Sequence, residues 1–183
     1  MSDPLRFAVD LRDAAAEVGL TPRLLAEQPE EWRLGRLTVV VDRGRGTAQI
    51  RYARTAVGRA PCDAAAVISA CRRALARLEK ESVAPDRFGA ALAAAYASLA
   101  GQRGAPVALL ALWPEVGRAV ERRKYSRAQF VWDIARLRSE HGLALPEGRI
   151  SIDVATGAPG RALWIEDETG TGQYYRSFRL VVT

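Results

Sequence analysis

The residues best equipped to recognise another molecule are cations. Arg118, Arg122, Arg123, Lys124 and Arg127 place five positive charges within ten residues. Guanidinium groups suit bidentate contacts with phosphate and with base edges. The run leads into Ser126-Arg127-Ala128-Gln129, an S-x-x-Q capping box that opens a helix. A helix N-terminus adds free N–H groups and the positive end of the dipole, both favourable to anions. Opposite Phe130 and Ile134 on that helix lie Gln129, Trp132, Asp133 and Arg136. Gln can read adenine and Arg guanine in the major groove. Trp132 beside Asp133 suits a protein contact better. Asp133, Glu140 and the acids Glu166, Asp167 and Glu168 oppose a phosphate backbone.

Catalytic chemistry finds little to work with. His141 is the single histidine, and its place in the last turn of a helix suits charge–dipole capping. Cys62 and Cys71 match no C-x-x-C metal or redox spacing, and Cys71 falls on an apolar helical stripe. Arg43-Gly44-Arg45-Gly46-Thr47 lacks the pattern of a phosphate loop. Gly170-Thr171-Gly172 precedes a strand, the reverse of a dinucleotide turn. Glu166, Asp167 and Glu168 alternate in direction at a strand end and read as a solvated turn. The expectation is no catalytic, cofactor-binding or metal-binding residue, no cofactor, and no enzyme.

Periodicity defines the elements that carry these residues. Phe7, Leu11, Ala14 and Val18 share a helical face over 4–18, and Thr21-Pro22 predicts a second helix to about Trp32 or Leu34. Leu37, Val39 and Val41, then Ala48, Ile50 and Tyr52, alternate as two strands of a β-hairpin over 37–54, joined through Gly44 and Gly46. An amphipathic helix follows over 63–82, with Asp63 as its cap, and Pro85 closes it. The second half reads as helix 86–101, an extended piece near Pro106–Val107, a bend at Trp113-Pro114, helix 114–123, helix 126–141, and strands 149–154, 162–166 and 174–182.

Composition fits an ordinary globular chain. The 183 residues are 49% apolar and 26% charged, which argues against wholesale disorder. No stretch approaches the ~18 apolar residues of a membrane span. The start MSDPLRFAVD does not read as a secretory signal, and two cysteines make no disulfide framework. A cytoplasmic protein without membrane contact is expected. The net charge is +6, yet 25 of the 27 basic residues are arginine, as GC-rich coding also produces. Division at residue 84 leaves +3 on each side, so nucleic acid would need a local patch.

The order of elements after residue 85 resembles a winged helix-turn-helix domain. The phrase Tyr125-Ser126-Arg127-Ala128-Gln129-Phe130, with Ile134 and Leu137, is similar to the start of the third helix in bacterial winged-helix domains. Tyr174-Tyr175-Arg176-Ser177-Phe178-Arg179-Leu180 is similar to their closing strand. The resemblance implies a recognition helix over 126–141 and a wing made by 149–154 and 162–166, with Arg161 at its tip. It implies DNA contact through Arg118, Arg122, Arg123, Lys124, Arg127, Gln129, Arg136 and Arg161. Its alternative is protein docking through Trp132, as in winged-helix adaptor subunits of chromosome-organising or phage-defence ATPase complexes.

The expected fold class is therefore α+β. Residues 1–84 form N-terminal helices, a hairpin and an amphipathic helix; residues 85–183 form the winged helix. Two strands alone are marginal, and Val39-Val40-Val41 is apolar on both faces. The hairpin should pair with the C-terminal sheet or a second copy, so a homodimer or a partner subunit is expected. The expected function is a non-enzymatic DNA-binding or DNA-complex-docking regulator or accessory subunit. The alternative is an adaptor without direct DNA contact.

Overall fold

Local signals start and stop most of the helices, and long-range pairing decides the strands. The computed structural model describes residues 4–122, 124–145, 148–156, 159–167 and 170–181. They form five α-helices and ten strands in two antiparallel sheets, an α+β arrangement. The chain divides into two compact units between Lys80 and Glu81, with Gly170 falling to the first.

In the first unit, α1 (Pro4–Ala16) buries Phe7, Leu11 and Ala15 on one stripe. The helix expected from Thr21 to Trp32 or Leu34 is instead a hairpin of β1 (Arg23–Glu27) and β2 (Glu30–Leu34), with Pro29 in its turn. The physical reason is tertiary. Trp32 pairs with Val39 and Leu34 with Leu37 on β3 (Leu37–Asp42), and both side chains are buried there. Residues with fair helix propensity thus become strand because a neighbour offers a ladder. The expected hairpin forms between β3 and β4 (Thr47–Tyr52), with Val39 opposite Ile50 and Val41 opposite Ala48.

A further strand, β5 (Thr55–Pro61), was not expected; it continues the meander in the order β1-β2-β3-β4-β5. The hairpin's two edges are therefore filled by β2 and β5 of its own unit, which removes the premise that it must borrow a partner. Leu37, Val39, Val41, Ala48, Ile50 and Tyr52 are buried, while Thr38, Val40, Gln49 and Arg51 alternate with them and are half-buried. Against this sheet packs α2 (Ala64–Lys80), with Val67, Ile68, Cys71, Ala74 and Leu78 inward. Asp63 Oδ1 accepts from the Ala66 N–H at 2.8 Å, which fixes the helix start.

In the second unit, α3 (Pro85–Leu99) buries Phe88, Leu92 and Tyr96. Next come β6 (Val107–Ala108), α4 (Leu109–Ala119) and α5 (Arg127–His141). The chain does not leave the helix at Trp113-Pro114, and the helix expected over 114–123 is instead the later part of α4. Pro114 lies inside α4 on an exposed side, while Leu109, Leu112 and Val116 hold the helix against the core. After α5 run β7 (Ala144–Leu145), β8 (Gly148–Val154), β9 (Leu163–Glu166) and β10 (Gly172–Val181). The expected hairpin between 149–154 and 162–166 is corrected as well. Both segments pair with β10: Ile152 lies opposite Phe178, and Trp164 opposite Tyr174. On the edge of β10 away from β8, which β9 shares, Val107 lies opposite Phe178, giving the order β6-β10-β8-β7.

Candidate functional site

The cation run lies at the corner where α4 passes into α5. Glycine at 117 lets the chain cross closely, since a Cβ there would stand 3.1 Å from Tyr125 Cβ. Glu121 takes φ 58°, and the Arg122 N–H returns to the Gly117 carbonyl at 3.1 Å. This ends α4 in the way glycine usually ends a helix, with Glu121 bearing the left-handed strain. The Trp113 indole N–H donates to the Tyr125 carbonyl at 2.9 Å and ties α4 to the start of α5. Ser126 Oγ accepts from the Gln129 N–H at 3.1 Å, as its spacing predicts, and Gly142 closes α5 with φ 58°.

Of the expected contacts, Arg118, Lys124 and Arg127 are exposed at this corner and Arg122 is half-buried. Arg123 lies outside the described residues. Arg118 is ion-paired with Glu115. The Arg127 guanidinium rests 5.3 Å from the centre of the half-exposed Trp113 ring, a cation–π contact. Arg161 is exposed at the end of a 3-10 turn, Pro159–Arg161, between β8 and β9.

The expected recognition face is overturned. Gln129 is 2% exposed, Trp132 4% and Asp133 1%, so none presents itself to a groove or to a protein partner. The α5 helix packs on both of its faces. Phe130 meets the Phe88 ring of α3 edge-on at 6.1 Å, and β9 also lies against the helix. One turn on from Phe130, Asp133 is held by four donors. Ser82 Oγ and the Val83 N–H reach Oδ1 at 2.6 and 3.2 Å. Gln129 Nε2 reaches Oδ1 at 3.3 Å, and the Tyr125 hydroxyl reaches Oδ2 at 2.6 Å. Arg136 is half-buried, donating to Ser82 Oγ at 2.7 Å and pairing with Glu140 at 2.8 Å, so its guanidinium is engaged within the unit. Burial drives the Asp133 carboxyl above its ordinary value, against the pull of its donors. Burial and the neighbouring carboxylate drive the Tyr125 hydroxyl up too.

Ser82 and Tyr125 were missed as functional partners of α5. The available signal was Asp133 itself, an acid set among Phe130, Val131, Ile134, Ala135 and Leu137. An acid so placed must find donors if its side is covered.

Neither cysteine is activated. Burial pushes the Cys71 thiol up to about 12 and also raises Cys62, the opposite of a nucleophilic thiolate. His141 Nε2 stands 3.7 Å from Asp86 Oδ1 at the surface. Glu166 is buried and accepts from the Trp164 indole at 2.9 Å; Glu168 lies outside the described residues. Among the described residues no group of three or more His, Cys, Asp or Glu is placed to hold a metal. A groove of about 520 Å³ along the alanines of α3 has Arg103 as its single charged lining residue and no acid, cysteine or histidine. Among the described residues no helix is long and apolar enough to cross a membrane. No protein-family model, curated protein or solved structure matches the chain.

Proposed function

We propose that the chain is a non-enzymatic accessory protein, and that its second unit is a winged-helix variant used for docking to a protein assembly rather than for reading bases. The order helix, short strand, helix, helix, then strands supports the winged-helix reading, as does the placing of β10 between β6 and β8. One observation sets base readout aside, and with it Trp132 as a docking residue, which leaves docking to another surface of the unit. The side of α5 that would enter a major groove is interior, with Gln129 and Asp133 bonded to each other. A second reading, sequence-independent contact with a phosphate backbone, draws on Arg118, Arg122, Lys124 and Arg127 at the exposed corner.

Titration of labelled duplexes over a range of salt tests both. The docking reading expects no preference among duplex sequences and no binding at physiological salt. The second reading expects binding without sequence preference that falls with salt and is abolished by reversing Arg118, Arg122 and Lys124 to Glu. Protection of one particular sequence at physiological salt would overturn both.

A further inference from the structure

We propose that the corner between α4 and α5 is the docking surface of the second unit, and that it takes an acidic segment of a partner protein. The inference rests on the docking reading above, and names the surface used and the chemistry of the partner.

The corner is built by contacts that leave its cations available. The end of α4 closes on its own backbone: the Gly117 and Arg118 carbonyls accept from the Arg122 and Glu121 N–H groups at 3.1 and 3.0 Å. Arg87 of α3 donates to the Val120 carbonyl at 3.3 Å. Basic residues after a helix often serve its last carbonyls, but these three carbonyls are already met. Arg118 is neutralised by Glu115. Among the described residues, the side chains of Arg122, Lys124 and Arg127 make no hydrogen bond or ion pair.

Arg127 is also held ready. Its guanidinium lies 5.3 Å from the centre of the Trp113 ring, and Trp113 is itself fixed by its indole bond to the Tyr125 carbonyl at 2.9 Å. A guanidinium carried on a ring still offers N–H donors for a bidentate carboxylate contact, and loses less freedom when it binds. Trp and Arg are the residue types that most often anchor a protein interface.

The sign of the charge selects an acidic partner, and its amount selects protein over duplex. The three unpaired cations neutralise about three phosphates, against about six to ten in a protein held to DNA by its backbone contacts. Arg123, outside the described residues, adds one charge at most. Glu115 and the exposed Glu121 stand among the cations and repel a continuous phosphate chain. A protein segment with a few carboxylates needs no more than the corner supplies. One meets the Arg127 fork, and the others meet Arg122 and Lys124.

Titration of the isotope-labelled full-length chain with a short synthetic peptide of Asp, Glu and Leu, followed by NMR at physiological salt, tests the proposal. The Trp113 indole and the backbone amides of 124–128 should shift together and saturate, a reading that needs no variant. Arg127→Lys keeps the charge but loses the fork and the ring contact, and should weaken binding several-fold. Arg122→Glu with Arg127→Glu should weaken it roughly tenfold or more. The same two charges reversed at Arg72 and Arg73, exposed on α2, should leave it unchanged. A short duplex should not saturate the corner. Equal losses from the two double reversals would reduce the effect to bulk charge and overturn the site. No binding of the peptide, or shifts centred on another surface, would overturn the site and leave the docking reading standing. Saturation of the corner by the duplex would overturn both.

Discussion

At the scale of single residues, Asp133 joins segments distant in sequence. Its carboxyl gathers Ser82 and Val83, ahead of α3, and Tyr125 from the turn before α5. Asp133→Ala would leave the Tyr125 hydroxyl and the Val83 N–H without this acceptor. The expected cost is about 3 kcal/mol or more, measured by urea unfolding. Asp133→Asn keeps the shape and one acceptor, and should cost less. The pair also fixes a pH dependence. The folded chain holds the Asp133 proton more tightly than the unfolded chain, whose ordinary value is 3.8. The group therefore favours folding most below that value, and the contribution is lost as pH climbs through the raised folded value. Relative to Asp133→Asn, the unaltered protein should lose stability as pH rises above 3.8; a relative gain would refute the assignment. Sequence alone placed Asp133 and Trp132 on an outward face because one apolar stripe was taken to mean one packed side. Phe130, Ile134 and Leu137 give that stripe, but nothing local reveals that residues 82–83 cover the flank that carries Asp133.

At the scale of elements, what was legible was what local chemistry decides. Ser126, with Gln129 three residues on, and Gly142 mark both ends of α5, and both caps form as the spacing implies. Ser126→Ala should cost about 1 kcal/mol. Gly142→Ala, forced into the left-handed region, should also cost about 1 kcal/mol, and the two should add, because opposite helix ends share no partner. Urea midpoints of the two variants and their combination check this. The residues of Arg23–Glu27 and Glu30–Leu34 tolerate a helix; only the ladder of β2 to β3, and of β1 to β2, makes them strands. Pro114 misled in the other direction. A proline removes one helical hydrogen bond, but Leu112 and Val116 bury the side that matters, and α4 continues through it.

At the scale of the molecule, two units each carry a core, and the α+β class follows from the sequence pattern while the sheet orders do not. The first sheet is a meander, in which every strand pairs with its neighbour in sequence. The second gathers β6, β8 and β9 onto β10, an arrangement invisible to periodicity. Phe178 is central to it, fully buried with its ring 5.5 Å from that of Tyr96. Phe178→Ala should cost about 3–5 kcal/mol. Amides of β6 and β8 should then exchange faster together while those of β3 and β4 keep their protection, a pattern readable by native-state hydrogen exchange. The same strand sets a timetable for biosynthesis. As the ribosome extrudes the chain, the meander can assemble hairpin by hairpin behind the exit tunnel, whereas Val107 must wait for Phe178 to be translated. Through that interval the sides of α3 and α4 that pack on β10 stand uncovered. The second unit is therefore the portion of the nascent polypeptide that most needs chaperone protection, and the one where slowed translation would do most harm.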